Sequence, residues 1–245
     1  RGDFSAGGPD AMTELPLRIA TYNIRKALGN DRRRDPERTL RVIAALDADI
    51  VLLQEADMRL GQRPPALPSA LFEGCAFRPV AFAHGRDSLG WHGNAILIRS
   101  DIEVIAHAHI DLPGLEPRGA VMADLRMKGH TIRVVGTHLG LIRASRRRQL
   151  AALRAFAGPS QIAARLVAGD FNEWSGASHL AGLGPDYRVL PSPPTFHARK
   201  PVAALDRIAL TDHFTLRDIR TVLTPESRRA SDHLPLVADL TLKEI

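Results

Sequence analysis

The chain has one cysteine, two tryptophans, two tyrosines and no long unbroken apolar run. A lone thiol cannot close an internal disulfide, so Cys75 is expected to be a small core filler. Nothing approaches the ~20 consecutive apolar residues that a membrane-spanning helix requires. No secretory leader precedes the first strand-like segment, so the expectation is a cytoplasmic protein with no transmembrane segment. Acidic residues are also in deficit: 33 Lys and Arg against 27 Asp and Glu give a net charge of +6 and a pI near 10.2. That balance favours polyanionic partners, either nucleic acid or an anionic membrane surface.

What is present is ample core material, with 44% hydrophobic residues. Residues 1–11, rich in Gly, Ser and Asp ahead of Met12, read as an expression-tag remnant; residues 12–245 are expected to form a single domain and a monomer. "LRIATYNI" (17–24) and "ADIVLLQE" (48–55) are strand-like by their β-branched and aromatic content. Between them, "DPERTLRVIAAL" offers Asp35 as an N-cap, Pro36 at the first helical position and apolar residues at 40, 43 and 46. A strand–helix–strand unit sets its two strands parallel and adjacent. Asn23 and Glu55, each at a C-terminal strand end, are therefore expected on one rim.

Further strands are expected at 93–100, 119–127, 131–139, the run ending at Asp170, 204–210, 214–223 and 234–242. Lys128–Gly129–His130 would turn a hairpin, and Ser145 would cap a helix over 146–157. Several gaps are too short to hold a helix, so the fold class is α/β (α+β), with two mixed or antiparallel sheets packed face to face and helices outside. The Pro-rich stretches 61–70 and 191–201 read as rim loops.

Polar residues follow or close apolar runs repeatedly: Asn23, Glu55, His138, Asp170 with Asn172, Asp206, and Asp232–His233. Singly, each has a plain reading as a solvent-facing strand end, an Asx-turn or a loop. Together they form a pattern. Asn23, Glu55, Asp170, Asn172 and Asp232 offer only oxygen, which suits Mg²⁺ or Mn²⁺ rather than zinc. A phosphodiester repels nucleophiles, so a metal on one phosphate oxygen and a base on water address both parts of the barrier. His138 and His233 can supply a hydrogen bond or a proton near neutral pH.

"TYNI", "LQE", "GTHL", "GDFN", "LDRI" and "SDHLP" follow one another from residue 21 to 235. In these motifs and their order the chain resembles the endonuclease/exonuclease/phosphatase superfamily, which includes deoxyribonuclease I, abasic-site endonucleases, neutral sphingomyelinases and inositol polyphosphate 5-phosphatases. The resemblance implies a four-layer sandwich with its site at the top of two sheets. By the same resemblance Glu55 is the principal metal ligand, assisted by Asn23 and Asp232. Asp170 orients or deprotonates water, or protonates the leaving oxygen, and Asn172 holds phosphate. His233 contacts phosphate with its tautomer set by Asp206, His138 donates to a non-bridging oxygen, and Arg118 grips phosphate.

Arg25 stands where several DNA-repair members carry an aspartate, which implies a one-metal site. No counterpart of the abasic-site endonuclease tyrosine is found, which points away from DNA repair. Divalent-metal-dependent phosphoester hydrolysis is thus expected, with nucleic acid as the first substrate class. The alternatives are a phospholipid, as in sphingomyelinases, a small phosphodiester or phosphate ester, or a non-catalytic binding module. Specificity would lie in rim loops 59–70, 84–92 and 191–201, with Arg25, Arg118 and Arg143 at the groove. Trp91, Trp174 and Phe196 lie beside motif loops, where they would either stack on substrate or pack, and His107 and His109 are expected on a surface strand.

Overall fold

Apolar residues that recur at every second position cannot be buried by one sheet alone, and the chain answers with two. In the computed structural model the residues described are 14–58, 64–82, 88–158 and 160–243. The lead-in 1–11 and parts of the expected rim loops 59–70 and 84–92 lie outside them. The elements are β1 (Leu15–Asn23), α1 (Pro36–Ala45), β2 (Ile50–Gln54), β3 (Phe77–Pro79), β4 (Ala95–Arg99), β5 (Glu103–Leu112), β6 (Arg118–Met127), β7 (His130–His138), α2 (Arg143–Phe156), β8 (Arg165–Asp170), β9 (Arg188–Val189), β10 (Asp206–Leu210), β11 (Phe214–Thr221), α3 (Pro225–Ala230) and β12 (Leu236–Leu242).

One sheet has the order β11-β12-β1-β2-β4-β3 and the other β5-β6-β7-β8-β10-β9. Both are mixed: β1 with β2 and β7 with β8 run parallel, and the remaining pairs run antiparallel. The inner faces meet through Leu17, Ile19, Ile50 and Leu52 of one sheet and Val121, Val134, Ala168 and Ile208 of the other. Gly136 marks a close approach, since a Cβ there would sit 3.2 Å from Leu52 and 3.2 Å from Val121. The helices α1 and α3 cover the outer face of the first sheet, and α2 covers the second through Leu150 and Leu153. These are the four layers.

Local chemistry explains most element ends. The Asp35 side chain accepts from Arg38 N at 2.8 Å ahead of Pro36, as the sequence suggests, and Val42, Ile43 and Leu46 are buried. The β6–β7 turn is tighter than expected. Met127 pairs with His130, so Lys128 and Gly129, at φ 46° and 84°, make a two-residue turn and His130 opens the strand.

The helix expected from 146 starts at Arg143, preceded by Ile142 without a side-chain cap. Ser145 is inside it and buried, because the chain leaving β7 already turns helical there. The helix α3, which the sequence patterning does not announce, is closed by a reciprocal cap between Thr224 and Ser227. On the exposed edge strand β5, His109 stacks on Trp91 and His107 meets Phe82 edge-on. No helix among the described residues is long and apolar enough to cross a membrane.

Candidate active site

Strand alternation sets which side chains reach the site. Along β7, β8 and β10 the inner-face positions are Val134 and Gly136, Leu166 and Ala168, and Ile208 and Leu210. The same parity carries inward His138, Asp170 and Asp206, where the strands end. Register then aligns them, because His138 pairs with Asp170 across β7–β8 and Asp206 pairs with Asp170 across β8–β10. On the facing sheet Leu17 and Ile19 point inward, and two steps further Thr21 and Asn23 do the same. Asn23 Nδ2 donates to Asp170 Oδ2 at 3.0 Å, a hydrogen bond that spans the two sheets.

Asp170 is the hub. Its Oδ2 also lies 3.3 Å from His138 Nε2 and 3.7 Å from His233 Nε2, and its Oδ1 accepts from Asn172 N at 2.9 Å. His233 Nδ1 lies 2.8 Å from Asp206 Oδ2, which also accepts from Thr195 Oγ1 at 2.5 Å. Phe196 covers the His233 ring with centroids 5.0 Å apart. Burial, the largest influence, pushes the Asp170 carboxyl up to about 6, with the neighbouring His233 and Asp206 charges acting in opposite directions. Burial works against the His233 imidazolium, yet the charges of Asp206 and Asp170 outweigh it and its pKa is pushed up to about 10.

The remaining expected residues gather beside this hub rather than on it. Glu55 follows β2 with φ 52°, which breaks the strand alternation, and its carboxylate pairs with Lys26. Asp232 pairs with Arg25 at 3.3 Å, and Arg25 N donates to Asn23 Oδ1 at 3.0 Å. Asn23, Glu55 and Asp232 therefore surround one short turn, residues 25–27. Asn172, at φ 49°, spends one Nδ2 hydrogen on Leu139 O at 2.8 Å, so it braces the ends of β7 and β8. Arg118 is buried and held by Glu116 at 2.6 Å. With Glu55, Lys26 and His138 it lines a groove of about 230 Å³.

Sequence reasoning missed Lys26, Glu116 and Thr195. Lys26 had a signal in its place three residues after Asn23, whereas Thr195 lies in a Pro-rich loop with no pattern of its own. Two oxygen-rich groups of side chains result. The ligand atoms of Asp170, Asp206 and His233 all lie within 4.8 Å of one another and could hold a metal ion. Glu55, Asn23 and Asp232 offer two carboxylates and an amide oxygen, and each carboxylate draws a cationic side chain to it. That donor set fits a hard divalent ion.

Comparison with known proteins accords with this geometry. Residues 20–233 match the Endonuclease/Exonuclease/phosphatase family. The uncharacterised protein YbhP of Escherichia coli (strain K12) is 33% identical over 258 aligned residues, which cover 96% of this chain and all of YbhP. A family protein from Bacteroides thetaiotaomicron superposes with a TM-score of 0.74 at 17% identity, covering 95% of this chain and 100% of that one. The TDP2 of D. rerio complexed with single strand DNA product gives 0.71 at 19% identity, covering 92% and 98%. The mannosyl-6-phosphatase Bt3783 of Bacteroides thetaiotaomicron VPI-5482 gives 0.69 at 17% identity, covering 91% and 99%. Two mixed sheets with flanking helices, the buried Asp/His cluster and a match over most of its length mean that the chain belongs to the endonuclease/exonuclease/phosphatase family of phosphoester hydrolases.

Proposed function

We propose that the protein is a divalent-metal-dependent phosphodiesterase that acts by direct attack of water on phosphorus. The observation that carries this reading is the convergence of Asn23, His138 and His233 on one oxygen of Asp170, with Asp206 behind His233. Both ring nitrogens of His233 face carboxylates and its proton is held tightly, which favours acid–base and hydrogen-bonding work for the Asp170–Asp206–His233 group. Glu55, Asn23 and Asp232 would then hold Mg²⁺ or Mn²⁺, which when bound would supply Lewis-acid neutralisation of phosphate charge.

The residues of the chain do the rest. Asp170, with its raised pKa, takes the proton of the attacking water as the new P–O bond forms. His138 and His233 bring two Nε2 donors beside the Asp170 carboxylate, where charge builds on the phosphate, and as the ester P–O bond breaks the leaving oxygen takes a proton from the His233 imidazolium, which Asp170 then restores. Asp206 and Thr195 hold His233 in register, Arg118 positions the phosphate from the groove side, and Asn172 holds it from the end of β8. No covalent enzyme intermediate forms.

A nucleic acid substrate is the second reading, favoured by the basic pI and by the DNA product bound in the D. rerio TDP2 structure. The test is hydrolysis of bis(4-nitrophenyl) phosphate with Mg²⁺ or Mn²⁺, followed by exhaustive EDTA treatment and a single turnover in ¹⁸O-labelled water. Loss of activity on chelation and label in the product phosphate are expected. Full activity after chelation rules out the metal-dependent route.

A further inference from the structure

Large apolar side chains left in water are unevenly placed on this molecule. Of the seven exposed among the described residues, five stand on loops at the active rim: Leu115, Leu141, Ile142, Trp174 and Val202. Leu115 is 82% exposed, Leu141 65% and Trp174 61%. The loops that carry them are tied together. Leu141 N donates to Glu116 Oε1 at 2.8 Å, and Gly114 lies so close to α2 that a Cβ there would sit 3.1 Å from Gln149 and 3.4 Å from Ser145. Glu173, beside Trp174, pairs with Arg146 at 3.1 Å. Trp174 meets Phe196 edge-on at 5.8 Å, and Phe196 lies on His233. Val202 N donates to Phe196 O at 2.7 Å. Exposed apolar side chains clustered at one rim mark an interaction surface rather than ordinary scatter.

The charge on the same rim narrows the partner. Four cations beside the catalytic group are already matched by carboxylates: Arg25 by Asp232, Lys26 by Glu55, Arg118 by Glu116 and Arg146 by Glu173. Exposed positive charge lies on the first turns of α2, at Arg143, Arg147 and Arg148, directly after Leu141 and Ile142, and at Arg199 and Lys200 just before Val202. A nucleic acid strand is gripped by a track of cations along its groove. A bilayer surface is gripped by apolar loop tips flanked by cations that meet lipid phosphates.

We propose that this rim docks on an anionic phospholipid bilayer, with Leu115, Leu141, Ile142 and Trp174 entering the headgroup region and Arg143 and Arg147 on lipid phosphates. Docking faces the groove at Glu55, Arg118 and His138 toward the membrane, so the phosphodiester delivered is a phospholipid headgroup. The substrate part of this inference rests on the phosphodiesterase reading above.

The experiment is co-sedimentation of the full chain with phosphatidylcholine vesicles, with and without phosphatidylglycerol, at low and high salt. Hydrolysis of bis(4-nitrophenyl) phosphate is measured on the same samples. Sedimentation with the anionic vesicles only, weakened by salt, is expected. The double variant Leu141→Ser, Ile142→Ser should lose about tenfold in partitioning, since two apolar side chains leave the interface. Its melting temperature and hydrolysis of the soluble ester should not change.

Failure to sediment at low salt, or equal partitioning of the double variant, overturns the docking surface even if the soluble ester is hydrolysed. Binding of a fluorescein-labelled oligonucleotide without vesicle partitioning overturns it in favour of nucleic acid. Sedimentation as expected without metal-dependent hydrolysis upholds the docking surface and overturns the phosphodiesterase reading alone.

Discussion

Asp170 gathers hydrogen-bonding partners from both sheets, and its removal should be felt in chemistry before stability. Asp170→Asn and His233→Ala are each expected to lower turnover of a soluble phosphodiester by about 10²–10⁴-fold, the usual worth of a placed acid–base group. Near-normal turnover in either variant would contradict its acid–base role. Asp206→Asn and Thr195→Val should cost less, because they loosen the orientation of His233 rather than delete it. Lys26 occupies the Glu55 carboxylate, so Lys26→Met should bind Mn²⁺ several-fold more tightly in a spin-resonance titration that needs no turnover. Unchanged or weaker binding would mean that Lys26 and the ion do not compete. Asn23, His138, Asp170 and Asp206 were legible in the sequence because each follows or closes an apolar run. Thr195 was not, because it meets Asp206 from a loop that carries no pattern of its own, and Glu116 was not, because nothing in a loop marks a carboxylate that will hold Arg118 two residues on.

The elements owe their ends to short-range chemistry, which makes their energetics readable. Asp35→Ala should cost about 1 kcal/mol of stability in urea unfolding, the usual loss for an N-cap, with soluble-ester turnover little changed. A second test concerns β11, β12 and β1, which are clamped where Asp239 meets Arg18 at 2.6 Å and Arg220 at 2.6 Å. Burial works to raise the Asp239 carboxyl, but the hydrogen bonds from Arg18 and Arg220 prevail and hold it below the usual carboxylate range. A carboxyl depressed in the folded state contributes stability above its unfolded pKa of about 4, and that stability disappears as pH falls through the folded value. Urea unfolding from about pH 6 downward should therefore show a shallower acid loss for Asp239→Asn than for the parent chain. Parallel acid limbs would show that the clamp contributes nothing.

The two sheets depend on one shared core, and the site depends on both sheets. Leu52, fully buried beside the Gly136 approach, is the sharpest probe of this dependence. Leu52→Ala should cost about 2–5 kcal/mol. It should also lower turnover, because Asn23 reaches Asp170 only while the inner faces stay in contact. Retention of full stability would mean that the core relaxes around the loss. Period-two patterning, turn chemistry and strand-end polar residues, all local properties of the chain, were enough to state two packed sheets and a β1–α1–β2 unit with Asn23 and Glu55 on one rim, while the family resemblance implied that His138, Asp170, Asp206 and His233 join them. Local patterns cannot say which partner a side chain meets, because that depends on register between strands distant in sequence and on left-handed turns such as the one at Glu55. The pairing of Lys26 with Glu55, the start of α2 at Arg143 and the placing of exposed apolar side chains around the rim were therefore decided only when the sheets closed on each other.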